Sequence, residues 1–366
     1  MANLRDRLKR IQESKKENDQ KINYTQSEEI KELIDLGWEP CGYKVYKRDV
    51  TFMPPFKSNK KLPKAISILI PDLYGIELPA LNDFLFFDLE TTGLSGGAGT
   101  VAFLAAFGKI ANNEKLNLVI TQYLLLDYPG ENDFLLNVLS ELNGNYTVVS
   151  YNGKCFDSQI IRTRCLMNRI KVPEYRHVDL LHPSRRLWKN IIQDCSQSSV
   201  EEKILNLSRT DDVPGSLAPE IWFEFLKTGM TDRLKGICDH NTSDIFGLAS
   251  ILSVIISIVE NPVNSKYQFD HERFALFWRK FLKRSKDDSC DNNLIKTGND
   301  LLRLSAQNNK PRAVYIYAYD QMKNGNYNES LKYVNIALKL FDEESVWHEK
   351  LLRRKTRLER MIKFFG

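Results

Sequence analysis

Apolar positions along the chain follow two periods, and the switch between them outlines the architecture. Phe84 to Leu89 is a nearly unbroken apolar run that reads as a buried strand. Thr100 to Ile110 and Lys115 to Leu126 read as two more strands around an Asn112-Asn113 turn. Glu131 to Leu142 has helical spacing, Tyr146 to Ser150 reads as a strand, Phe156 to Asn168 as a helix and Arg176 to Leu181 as a short strand. From Ser184 onward the spacing is mostly helical, with Asp211 to Gly215 as a turn and Asp232 to Val259 as a long helix. A three-strand meander followed by alternating helix and strand predicts an α/β fold: a mixed sheet with helices on its faces.

The two ends read differently. Residues 1–35 suggest a polar helix with a thin apolar stripe of Leu4, Leu8 and Ile11. Residues 36–64, with Gly37, Pro40, Pro54 and Pro55, read as extended chain or linker. Asn261-Pro262, in the stretch from Glu260 to Gln268, marks a boundary, after which the chain is helical. Met322 to Leu338, turning at Gly325, predicts a helix hairpin that resembles one tetratricopeptide unit. The expected division is 1–80 as a basic N-terminal helix and linker region, 81–260 as the α/β domain, and 261–366 as a basic helical region.

Charge sharpens this division. The chain carries a formal +5. Residues 1–64 hold 15 basic and 10 acidic side chains, residues 65–263 hold 16 and 24, and residues 264–366 hold 21 and 13. An acidic centre between basic arms suits a cation-dependent enzyme on a polyanion, although Lys-rich ends also arise simply as solvated helices. Six cysteines without a CxxC pair argue against a zinc site or a disulfide framework and fit a reducing cytoplasm. The N-terminus has no signal-peptide pattern, and the longest apolar stretch, Ile245 to Val259, reads as too short to span a bilayer. Ser95-Gly96-Gly97-Ala98-Gly99 lacks the Gly-Lys-Ser/Thr ending of a phosphate loop and reads as a tight turn.

The candidate chemistry lies at the ends of apolar elements. Asp88 and Glu90 stand at i, i+2 in a strand and so share one face. Two carboxylates on one face repel unless a cation lies between them, and hard divalent ions favour such oxygen donors. Val148 to Ser150 runs into Tyr151-Asn152-Gly153, with Asp157 opening the next helix. His240 and Asp244 stand at i, i+4 on one helix face. Four carboxylates suffice for two divalent ions, and a histidine titrating near neutrality can take a proton from water.

Asp88-Leu89-Glu90-Thr91-Thr92-Gly93, then Asn152-Gly153-x-x-Phe156-Asp157, then His240-x-x-x-Asp244, in that order, resemble the DEDD superfamily of 3′–5′ exonucleases, which have a ribonuclease-H-like fold. The nearer likeness is to the YprB-type predicted exonucleases, which often carry tetratricopeptide-like helices at the C-terminus. It extends through His177 to Trp188, Ser208 to Trp222 and Cys238 to Gly247. The resemblance implies a hydrolase that trims single-stranded DNA or RNA from a 3′ end with two Mg²⁺ or Mn²⁺ ions. It implies Asp88, Glu90, Asp157 and Asp244 as metal ligands and His240 as general base. In one respect the chain departs from the pattern. The histidine-type branch places its histidine five residues before the last aspartate, whereas His240 stands four before, a spacing that the tyrosine-type branch uses for its tyrosine.

Thr91, Thr92, Gly93 and Asn152 would border the terminal nucleotide. Lys154, Arg162, Arg185 and Arg186 could meet phosphates, and Tyr151 and Trp188 could stack on bases, but they read at least as well as surface charges and packed aromatics. Asp179 and Asp211-Asp212 read as structural, a strand contact and a turn. The rival expectations are an endonuclease on the same site and a non-catalytic nucleic-acid-binding scaffold. The C-terminal helices would serve as a surface for a protein partner, and no membrane association is expected.

Overall fold

The structure is a computed structural model that describes residues 30–93, 99–112, 116–209, 212–284 and 291–365. Seven strands form one mixed sheet: β1 (Glu39–Gly42), β2 (Val45–Phe52), β3 (Phe84–Thr91), β4 (Ala102–Asn112), β5 (Leu116–Leu125), β6 (Thr147–Ser150) and β7 (Arg176–Asp179). Their spatial order is β1-β2-β5-β4-β3-β6-β7. The meander β3-β4-β5 is antiparallel, while β6 and β7 add to β3 in parallel. The expected α/β architecture is therefore present, with a helical region of several helices following it.

The segment read as a linker supplies two of those strands. Val45 to Phe52 pairs in unbroken antiparallel register with Leu125 to Leu118. Its pairing partner lies more than 60 residues downstream, so local composition carried no trace of it. Most of the helix expected over 1–35 lies outside the described residues; Lys31–Asp35 forms a short helix, α1. The Gly-rich turn, Asn113 and Asp211 also lie in or beside segments outside the described residues.

Strand alternation splits the core in two. Leu85, Phe87, Leu89 and Val148 face one way, packing with α3 (Glu131–Leu142), α4 (Asp157–Met167) and α7 (Ala218–Thr228). Phe84, Phe86, Ala106 and Val149 face the other way, toward Ile245, Leu248 and Ile251 of α8 (Asp232–Glu260). Asp88 and Glu90 continue the Phe84-Phe86 row, so they point at α8. That helix lies close on the sheet: a Cβ added at Gly108 would stand 2.4 Å from Ile245 Cγ2. By length and composition α8 could cross a bilayer, contrary to the expectation from Ile245 to Val259 alone, but 67% of its most apolar window is buried inside this chain.

The lettered helices not yet placed are α2 (Ile66–Leu69), α5 (Leu181–Trp188), α6 (Gln197–Val200), α9 (His271–Arg284), α10 (Asn292–Gln307), α11 (Pro311–Lys323), α12 (Tyr327–Leu340) and α13 (Val346–Phe365). The core runs on across the boundary expected at 260–268. Phe269, Phe274 and Trp278 join the cluster that contains Trp188 and α8. Trp188 Nε1 donates to the Gln268 carbonyl at 3.0 Å, and the Asp270 N–H to the Leu187 carbonyl at 2.9 Å. Helices α11 and α12 form the expected hairpin around Gly325, whose φ of 81° suits glycine. The five described cysteines are free.

Candidate active site

Three segments far apart in sequence converge at one end of the sheet. The central strand β3 delivers Asp88 and Glu90. The turn after β6 delivers Asp157 at the start of α4, and α8 delivers His240 and Asp244. Glu90 and Asp157 are buried, and the others are partly buried. Glu90, His240 and Asp244 each offer a ligand atom, all within 4.8 Å of one another.

The carboxylates feel one another. Burial, and then the charges of Asp244, Asp157 and Glu90, hold the Asp88 carboxyl far above the ordinary carboxylate range. Burial followed by Asp244, Asp157 and Asp212 does the same to Glu90. Asp157 is pushed up to about 7 by burial and then by Asp179 and Asp244, against the opposing effect of its own backbone N–H. Asp88, Glu90 and Asp157 cannot all be charged together without a countercharge. A donor set made of carboxylate oxygens, desolvated and mutually repelling, fits a hard divalent ion.

Gly153 is the glycine that this site requires. A Cβ there would stand 2.6 Å from Asp157 Oδ2 and 2.4 Å from Ser150 Oγ. The turn around it is tied down by Asp179, which accepts from the backbone N–H groups of Asn152 (2.8 Å), Lys154 (3.2 Å) and Leu181 (3.1 Å). Asp179 is thus a structural anchor, as expected, and its charge also acts on Asp157.

Asp212 does more than shape a turn. Its Oδ1 accepts from His240 Nδ1 at 2.8 Å, while His240 Nε2 lies 3.3 Å from Asp244 Oδ2. The imidazole thus stands between two carboxylates, Asp212 on its Nδ1 side and Asp244 on its Nε2 side, and its Nε2 edge faces the acidic cluster. The i, i+4 spacing places His240 beside Asp244 on one turn of α8.

Sequence reasoning missed a set of supporting residues. Arg209 donates to both oxygens of Glu201 at 2.9 Å, to Asp244 Oδ1 at 2.7 Å and to Asp212 Oδ2 at 3.3 Å. Glu201, 2% exposed, begins a π-helical turn, Glu201–Leu205, that continues α6. Burial lowers the hold of Arg209 on its proton, but the charges of Asp244 and Glu201 outweigh that and keep it firmly charged. A second buried chain runs across the sheet. Arg48 donates to Gln122 at 2.7 Å, Gln122 to Asn241 Oδ1 at 3.0 Å, and Asn241 to Asp88 Oδ2 at 2.7 Å. Asn241 was the one legible clue: an amide, fully buried, between His240 and Asp244.

The remaining candidates divide. Thr91 Oγ1 donates to the Gly93 carbonyl at 2.9 Å, and Thr92 Oγ1 accepts from Val101 N–H at 2.9 Å, which shapes the end of β3 beside Glu90. Asn152 takes a left-handed φ of 63° in the turn before Asp157. Arg162 and Arg185 are exposed. Lys154 pairs with Asp72 at 2.7 Å. Arg186 turns away, donating to the Leu69 carbonyl with its guanidinium 5.3 Å from the Phe277 ring. Trp188 is fully buried, and Tyr151 donates to the Cys195 carbonyl at 2.5 Å, so both rings are engaged in packing.

Residues 85–256 match a family model, RNase_H_2, of the RNase_H superfamily. An uncharacterized protein, YprB, of Bacillus subtilis (strain 168) is 39% identical over 173 residues, which is 46% of this chain and 41% of that relative. The match thus spans less than half the length of the curated relative. The segment matched by the family model, 85–256, contains all five converging residues. The matched segment, with its meander, its two added parallel strands and its flanking helices, is an RNase H-like domain.

Proposed function

We propose that this chain is a nuclease that hydrolyses phosphodiester bonds, trimming nucleic acid from a 3′ end with two divalent ions held by Asp88, Glu90, Asp157 and Asp244. One observation carries the reading. Four carboxylates from three separate segments meet at the end of the central strand, where burial and the neighbouring charges raise the pKa of Asp88, Glu90 and Asp157. A stable fold has no use for that repulsion, whereas a cation site does.

When bound, Mg²⁺ or Mn²⁺ supplies the positive charge that neutralises the carboxylates and the substrate phosphate. The chain's own residues do the rest. Asp212 holds the imidazole of His240 with Nε2 toward the cluster, where it would take a proton from an attacking water once Asp244 is committed to a cation. Asn241 holds one oxygen of Asp88 and leaves the other for a ligand. Thr91, Thr92 and Gly93 border the end of the strand, where the terminal nucleotide would lie.

The test is cleavage of 5′-labelled single-stranded DNA and RNA, linear and circular, with Mg²⁺ or Mn²⁺, using Asp88→Ala/Glu90→Ala as the control. A ladder shortening from the 3′ end, abolished by EDTA and by the double substitution, is expected. Cleavage of the circle would replace trimming with internal cutting. No metal-dependent cleavage of any polymer would refute the nuclease reading.

A further inference from the structure

The central domain that would cut the polymer is acidic, so the polyanion needs a hold elsewhere. Helix α13 carries seven basic residues against two acidic ones. At 3.6 residues per turn, Lys350, Arg353, Arg354, Arg357 and Arg360 fall within about a third of its circumference. Glu359 lies on the other side, and Glu349, at the edge of the stripe, pairs with Arg353 at 2.5 Å. Lys350, Arg357 and Arg360 are exposed and have no carboxylate partner among the described residues.

Aromatic rings begin the same stripe. Trp347, 48% exposed, meets Tyr315 edge-on at 5.0 Å, and Phe341 lies 6.3 Å from each. Lys350 stands 5.2 Å from the Trp347 ring, and Arg354 lies over Tyr315 at 4.6 Å and Tyr319 at 4.9 Å. An exposed indole leading into a row of cations, three of them exposed and without a carboxylate partner among the described residues, is the combination that holds single strands, where bases stack and phosphates follow the charge. Leu351 and Leu358 of α13 are buried in this chain, whereas Val346, Leu352 and Phe364 are exposed at scattered points along it.

We propose that Trp347 and the basic flank of α13 form a binding site for single-stranded nucleic acid, separate from the carboxylate cluster. The proposal takes its class of polymer from the nuclease reading, but its test needs no cleavage. Fluorescence anisotropy of a labelled 20-nucleotide single strand would be followed in EDTA across a salt series, with the full chain. Lys350→Glu/Arg357→Glu/Arg360→Glu should weaken binding more than tenfold at low salt and lower the slope of log K against log salt by about 2. Trp347→Ala should weaken binding roughly 5- to 150-fold with the slope unchanged. Asp88→Ala/Glu90→Ala should still bind. Unchanged affinity and slope in the triple variant, or no binding by the unsubstituted chain, would overturn the proposal. So would a triple variant that loses polyglutamate or anionic vesicles while keeping the oligonucleotide, since the stripe would then serve an acidic protein or a membrane surface instead. Stripe-dependent binding without any cleavage would sink the nuclease reading and leave this site standing.

Discussion

Asp157 offers the sharpest test of the acidic cluster, because its consequence is thermodynamic and independent of any assay for cleavage. Its carboxyl is 5% exposed and is pushed from 3.8 up to about 7 by burial and by Asp179 and Asp244. The folded chain therefore keeps a proton that the unfolded chain gives up. Stability is fully present below the unfolded pKa and is lost as pH rises toward the folded one. Three units correspond to on the order of 4 kcal/mol, or roughly 5–10 °C in Tm for a chain of this size. Asp157→Asn removes that liability. Urea unfolding in EDTA should show the substituted chain gaining on the original by that amount between pH 4 and pH 8. Mn²⁺ at pH 8 should then stabilise the original chain and leave Asp157→Asn nearly unmoved. A difference between the two chains that stays flat with pH, or a substituted chain that is the weaker at pH 8 without ions, would refute the reasoning.

Arg209→Ala should cost roughly 3–5 kcal/mol in urea unfolding, because it leaves the Glu201 carboxylate buried without its countercharge. Glu201→Gln added to it should recover a large part of the loss, and a cost below about 1 kcal/mol would show the pair to be unimportant. His177 is held down to about 4, chiefly by burial, with its ring nitrogens against Ser150 Oγ at 2.7 Å and Ser158 Oγ at 3.2 Å. The unfolded chain takes up that proton below about 6.5, so stability is lost as pH falls from about 6.5 through 4. His177→Gln should blunt the loss by roughly 2 kcal/mol in unfolding at pH 4.5 against pH 7.5, and an unchanged acid slope would count against this account.

What the sequence determined by itself was whatever rests on local geometry. Period-two alternation put Asp88 and Glu90 on the Phe84-Phe86 face before any partner was known. A helical turn put His240 beside Asp244, and glycine at 153 and aspartate at 157 marked a turn into a helix. Five of the seven strands, β3 to β7, were legible in the sequence. Strands of the meander announced themselves by apolar runs, whereas β2 is edge-like and polar and exists because β5 pairs with it. The tertiary structure alone decided which charges meet. Glu201 begins a π-helical turn and Arg209 follows in irregular chain, and the bond of Arg209 to Asp244 depends on how that segment packs over α8. Asp212 became the partner of His240 in the same way. Spacing along a chain encodes which side chains share a face; which faces meet is set by the burial of apolar surface across the whole fold.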